Sequence, residues 1–261
     1  MEGGELGPLA SLSITHVYYD PDDRLSLACA YLALLPQALC VVYVTLIMST
    51  REVEIALTFL GQLACEALNF VLKRLIKEER PARIHGKGYG MPSSHAQFVA
   101  FWSASVALFL FFRHRSPTTS STSAASTSTS SSTAATATAA APPPPRKHPR
   151  QAHHRPWSTA DKAILTLASG QLAGLVAWSR VYLNYHTTRQ VVAGGLTGVA
   201  CAVAWFVVTA VARRSGWLAW AVDLPVFRMA RVRDLIVEED MCQAGWEKWE
   251  ARRMQEAKKE S

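Results

Sequence analysis

Residues 90–112 read GMPSSHAQFVAFWSASVALFLFF. A glycine, a proline, two hydroxyls and a histidine open the stretch, and an apolar run without a charged residue other than that histidine follows from 95 to 112. At about 1.5 Å per residue, a helical run of this kind approaches the ~30 Å of a bilayer's hydrocarbon. Further apolar runs occupy residues 25–48, 54–72, 163–178 and 191–211. The pattern predicts an all-α fold, a polytopic membrane helical bundle of about five spanning helices. Glu66 inside the second run and the shortness of the third leave a tilted or partly interfacial helix open for those two.

Composition alone hides this, because 49% hydrophobic and 18% charged residues would suit an ordinary globular chain. The charged residues are segregated. Residues 116–157 collapse into Ser, Thr and Ala, then four prolines (142–145), then a basic stretch, and such a segment cannot bury a core. It is expected to be a disordered linker between the third and fourth helices. The chain therefore divides into residues 1–115 (first half of the bundle), 116–157 (linker), 158–214 (second half) and 215–261 (a tail). His114, His148, His153 and His154 read as solvated groups in or beside the linker, not a metal site. The cysteines (29, 40, 65, 201 and 242) lack metal-ligand spacing and read as small core residues.

The first run follows Asp20, Asp22 and Asp23 instead of a basic segment, so it reads as a retained anchor and not a cleaved signal. Arg113, Arg115, Arg146, Lys147, Arg150 and Arg155 flank or occupy the linker, and Arg213, Arg214, Arg228, Arg231 and Arg233 follow the last run. Cytosolic enrichment of Lys and Arg places both regions in the cytosol and the loops at 73–94 and 180–190 together on the opposite, lumenal face. The 73–94 loop is itself basic, but phosphate binding is a competing reason for those cations. Residues 217–236 mix aromatics with arginines and suggest an interfacial segment, or one packed against the bundle.

Three clusters on the lumenal side carry chemistry. Lys73, at the end of the second helix, precedes Arg80 and Pro81, and two such cations can converge on one tetrahedral anion. A plain basic stripe beside the membrane, with Arg74, Lys77, Arg83 and Lys87, fits that cluster equally. Gln62, Glu66 and Asn69 share the helix face of Lys73, where Glu66 is either a functional group behind the site or a structural hydrogen-bond partner. Ser93 and Ser94 stand at a helix start, a natural anion cradle, with His95 placed to protonate a leaving oxygen. Arg180 and His186 come next, and Gln190 lies one helical turn beyond His186, where its carbonyl oxygen can accept the Nδ1 proton and leave Nε2 free to attack. Taken together, cations, hydroxyls and two histidines beside membrane spans imply an enzyme that cleaves a lipid phosphate.

The strings Lys73-x6-Arg80-Pro81, Pro92-Ser93-Ser94-His95 and Ser179-Arg180-x5-His186 resemble the three-part signature of the type-2 phosphatidate phosphatase superfamily, helical-bundle proteins that include the vanadium haloperoxidases. The resemblance implies His186 as a nucleophile forming a phosphohistidine, His95 as general acid, Lys73, Arg80, Ser93, Ser94 and Arg180 as phosphate ligands, and no metal or other cofactor. Most members carry Gly at the position of Ser94 and Asp at that of Gln190. Both departures, and the longer strings around them, are similar to the dolichyl diphosphatase branch. That branch implies a polyprenyl diphosphate substrate, hydrolysed to the monophosphate at the lumenal face of the endoplasmic reticulum so that the glycosylation carrier lipid is reused.

Lys258-Lys259-Glu260-Ser261 resembles the dilysine retrieval signal that coat proteins read on cytosolic tails of endoplasmic reticulum membrane proteins. Two other readings remain: a broad lipid phosphate phosphatase acting on phosphatidate or sphingoid phosphates, and a non-catalytic lipid-binding scaffold. Retention of both histidines argues against the scaffold. The net charge of +7 suits anionic lipid, and without an interleaved aromatic and basic motif no nucleic-acid partner is expected.

Overall fold

The computed structural model describes residues 10–12, 17–81, 88–114, 157–237 and 241–259. The expected linker lies outside these residues except for Trp157, and so do Arg83, Gly86 and Lys87 of the first basic cluster. Nine helices are described: α1 (Arg24–Leu32), α2 (Leu35–Thr50), α3 (Val53–Ile76), α4 (Ser94–Leu108, continued by a π-helical turn Phe109–Arg113), α5 (Thr159–Tyr182), α6 (Thr188–Arg214), α7 (Trp217–Asp223), α8 (Pro225–Met229) and α9 (Met241–Lys259). One departure from an all-helical chain is a short antiparallel pair, β1 (Ala10–Leu12) with β2 (Val17–Tyr19), in which Ser11 faces Tyr18.

The first apolar run is broken once. Pro36 lacks an N–H and its ring opposes the carbonyl of Leu32, so α1 stops there and α2 restarts with the proline in its first turn. The two together still form a span, Arg24–Thr50, and three more helices, α3, α4 with its π-helical turn, and α6, are long and apolar enough to cross a membrane. The second and third runs are thus full-length spans. By average hydropathy α5 falls short, because Asp161, Lys162 and Arg180 stand near its ends. It is nevertheless about 36 Å long, and Ile164, Leu167, Leu175 and Trp178 are exposed along it. With α5 as the fifth span the chain is a multi-pass membrane bundle.

Its polarity is inverted relative to a soluble bundle. Val199, Val203, Val207 and Val211 form an exposed stripe on α6, whereas Gln62, Asn69, Gln97, Ser179 and Gln190 are buried between helices. Without an aqueous driving force, helices pack through small residues and interhelical hydrogen bonds. Both devices hold α4, small residues joining it to α6: a Cβ on Gly194 would stand 2.5 Å from the Ser93 carbonyl oxygen, and one on Gly198 would overlap that of Gln97. Asn69 Nδ2 donates to Gln97 Oε1 (2.6 Å), and Gln97 Nε2 donates to the Cys65 carbonyl (2.8 Å), tying α3 to α4.

The two ends of the bundle differ. At one end Glu54 receives Arg113 Nη1 (2.7 Å) and Arg213 Nη2 (2.6 Å), Arg213 also pairs with Asp234, and Arg113 Nη2 donates to Thr209 Oγ1 (2.9 Å). The amides of Leu235 and Ile236 donate to Glu52 Oε2, fixing the tail after α8 against the start of α3. The opposite end holds the candidate site.

Candidate active site

Alternation of the spans brings the end of α3, the start of α4, the end of α5 and the start of α6 to the same end. Sequence reading closes the second helix at Lys73; in the structure α3 continues to Ile76 and stops on Lys77 in the left-handed conformation (φ 54°). Lys73 therefore projects from the last turn, and its Nζ donates to Ser94 Oγ at 3.4 Å. Arg80 comes from the segment beyond, and the charges of Arg80 and Glu66 both act on Lys73. Glu66 is half-buried, with one carboxylate oxygen enclosed and unpartnered among the described residues. Of its polar stripe, Asn69 serves interhelical packing.

Ser93 occupies the N-cap position of α4, yet its hydroxyl caps no amide and has no hydrogen-bond partner among the described residues, although the residue is completely buried. A used serine cap stabilises a helix by about 1 kcal/mol; here that contribution is forgone. The Ser93 amide is not free for an anion, because it donates to the Gln190 carbonyl at 3.1 Å. Next to it, His95 lies near His186 and close enough to Arg180 and Lys73 to feel their charge, and the Ala33 carbonyl, at the break between α1 and α2, is its backbone hydrogen-bond partner.

The third cluster is held by a bent segment. α5 runs on to Tyr182, past the Arg180 end expected from sequence, and the amides of Tyr185 and His186 both fold back onto the Arg180 carbonyl at 3.0 and 3.2 Å. Tyr185 acts as the brace. Its ring lies 4.1 Å from the Arg180 guanidinium carbon, and its hydroxyl accepts the Tyr18 amide at 2.7 Å. Val17 of β2 packs with Cys29, Ala33, Leu183 and Tyr185, so the N-terminal strand supports the loop that presents His186.

Thr187 and Gln190 form a reciprocal capping box at the start of α6. In addition Gln190 Oε1 lies 3.2 Å from His186 Nδ1. Its Nε2 donates to Glu78 Oε1 and to the Glu79 carbonyl, both at 2.9 Å. Sequence reading missed Glu78, Tyr185 and Gln97. Within Glu78-Glu79-Arg80 nothing local marks the first glutamate, and its role depends on a partner more than a hundred positions away.

Burial, followed by the nearby Arg80 and Arg180 cations, pushes the His186 pKa down to about 3, against a smaller upward pull from Gln190. The imidazole is neutral at physiological pH and its outer nitrogen is available as a base or nucleophile. Arg80 is itself held below its usual value, chiefly by burial. Arg80 Nε, Arg180 Nε and Nη1, and Ser93 Oγ are enclosed without a hydrogen-bond partner among the described residues. Buried donors of this kind are costly to leave unmet.

The pattern of the PAP2 superfamily matches residues 54–214, from the first turn of α3 to the last residue of α6. A Neurospora crassa protein named "Putative dolichyldiphosphatase" is 64% identical over 95% of this chain and 94% of its own length. Human dolichyldiphosphatase 1 is 34% identical over 76% of this chain and 71% of its own, and that of Dictyostelium discoideum 30% identical over 89% and 86%. The chain belongs to the dolichyldiphosphatase branch of the PAP2 superfamily. No solved structure matches it. Membership makes it a lipid phosphatase, and the matched segment contains Lys73, Arg80, Ser93, Ser94, His95, Arg180, His186 and Gln190.

Proposed function

We propose that this phosphatase hydrolyses dolichyl, or a related polyprenyl, diphosphate to the monophosphate and phosphate. The unmet donors of Arg80, Arg180 and Ser93 beside a neutral His186 carry the proposal. With Lys73 and Ser94 they would grip the terminal phosphoryl group. His186 Nε2 attacks that phosphorus, the bond to the bridging oxygen breaks, and its electron pair leaves on that oxygen as dolichyl phosphate while His95 supplies a proton. A water then loses a proton to His95 and attacks the phosphohistidine. The nitrogen–phosphorus pair returns to Nε2, and phosphate departs. Lys73, Arg80 and Arg180 stabilise the charge that develops on the equatorial oxygens. Glu66 stands behind Lys73 on the same helix, close enough for its charge to act on that cation.

The site faces the lumen of the endoplasmic reticulum in this reading. Arg51, Arg113, Arg213, Arg214, Arg228 and Arg231 lie at or beyond the opposite end, which supports a cytosolic orientation for that end. Exposed Trp217, Trp220, Val226 and Met229 on α7 and α8 suit the interfacial layer there.

Purified protein should release phosphate from dolichyl diphosphate without added metal, and faster than from dolichyl phosphate or phosphatidate. His186→Ala should abolish a base-stable, acid-labile phosphoenzyme, whereas His95→Ala should slow its formation and breakdown. Preference for the monoester lipids would assign a broad lipid phosphatase instead. Near-normal turnover by the His186 variant would remove it as nucleophile.

A further inference from the structure

We infer that Glu78 is a positioning residue of the reaction, whose carboxylate fixes the Gln190 amide and, through it, the tautomer of His186. The inference rests on the proposed role of His186 as nucleophile. A glutamine amide can be placed in two orientations half a turn apart, and its neighbours decide between them. On one side of Gln190 stand two pure acceptors, Glu78 Oε1 and the Glu79 carbonyl, each 2.9 Å from Nε2. Across the amide the Thr187 N–H donates to Oε1 at 3.3 Å. Reversal would set the amide oxygen against a carboxylate and a carbonyl, and its NH2 against a donor. The orientation is therefore determined.

His186 Nδ1 then meets an oxygen that can only accept, at 3.2 Å, so Nδ1 carries the proton and the Nε2 lone pair is left for phosphorus. Among the groups that orient the amide, Glu79 and Thr187 contribute main chain alone; Glu78 contributes a charged side chain. Charge-assisted bonds are roughly twice as strong as neutral ones, which makes Glu78 the dominant lock. Its carboxylate also polarises the amide, strengthening the oxygen that faces His186.

Packing supports the same assignment. The Gly90 amide donates to the Glu78 carbonyl at 2.7 Å, and a Cβ on Gly90 would stand 2.8 Å from both polar atoms of the Gln190 amide. Glu78 thus joins all three clusters: it lies two residues before Arg80, its main chain holds the entry to Ser93, and its side chain holds Gln190.

The test is a double-mutant cycle on the full-length enzyme in one detergent and lipid, with a polyprenyl diphosphate as substrate. Glu78→Ala should lower kcat about 10- to 100-fold, by analogy with partners that orient metal-bound histidines, and leave KM within about twofold. In a Gln190→Ala background the same change should lower kcat by no more than about twofold, because its route of action is gone. Glu78→Gln, nearly isosteric and still an acceptor, should fall between parent and Glu78→Ala. It carries the cycle if the alanine variant does not fold. A loss of equal size in both backgrounds, or one confined to KM, overturns the inference. Base-stable phosphoenzyme is measured in the parent alongside: its absence defeats the nucleophile reading, whereas its presence with an additive cycle defeats Glu78 alone.

Discussion

Gly194→Ala tests whether close approach of α4 and α6 sets the site. The added Cβ would stand 2.5 Å from the Ser93 carbonyl oxygen and 3.2 Å from its nitrogen. Ordinary contact requires close to 3.5 Å, so the two backbones must part by about 1 Å. Overpacking of this kind costs roughly 1–3 kcal/mol. The functional loss should be larger in proportion, since Ser93 is on the α4 side and His186 and Gln190 are on the α6 side of that contact. A misplacement of about 1 Å between reacting groups can lower the rate ~100-fold. Gly195→Ala is the control, because a Cβ there meets nothing within 4 Å. Both variants should be melted in detergent and assayed for phosphate release per folded molecule. If Gly194→Ala keeps more than half the parental rate while Gly195→Ala does the same, the geometry of the site does not depend on this contact.

Other expectations follow from charge. With its pKa pushed down to about 3 in the folded protein, His186 resists a proton that the unfolded chain accepts near pH 6.5, so it contributes a loss of stability as pH falls through that window. His186→Asn should make melting temperature less dependent on pH between 4 and 7, and an identical slope would contradict the shift. Glu54→Gln should destabilise by about 3–5 kcal/mol, because Arg113 and Arg213 lose their shared carboxylate, yet leave phosphate release per folded molecule near the parental value; selective loss of turnover without a lower melting temperature would refute this. Gln190→Asp alone sets a carboxylate against Glu78, but Gln190→Asp with Glu78→Gln should raise imidazole basicity and the ratio of monoester to diphosphate hydrolysis. An unchanged ratio in a folded preparation counts against tuning by Gln190.

Much of the bundle is legible in sequence because hydrocarbon makes an extreme demand: a long run must be apolar, and a charge within or beside it needs a reason. Lys73, Arg80, His95, Arg180 and His186 stand out on that ground, and the turn from His186 to Gln190 predicts their contact. Exact helix ends were less legible. α3 and α5 run past Lys73 and Arg180 because basic residues are compatible with a final helical turn. The break before α2 did have a signal in Pro36, and the α4–α6 contact had one in the spacing of Gly194 and Gly198. Gln97 and Tyr185 fall within the strings that carry the family resemblance, but their roles, like that of Glu78, were not legible, since each acts through a partner that only the fold supplies.

The electrostatic design explains why a neutral residue follows His186. Three cations, Lys73, Arg80 and Arg180, gather near His186 where the proposed phosphate would sit, and burial with Arg80 and Arg180 keeps the imidazole neutral. A carboxylate in direct contact with His186 would raise its basicity, helping a nucleophile that must expel a poor alkoxide leaving group. It would also offer Arg180 an internal partner in competition with phosphate. Gln190 retains the directional acceptor without that full charge, and Glu78 stands one hydrogen bond further back. Such a site gives up some nucleophilic assistance but keeps its guanidinium donors open. For a diphosphate, whose leaving group is itself a phosphate, the lost assistance matters less than the strength with which the terminal phosphoryl group is held.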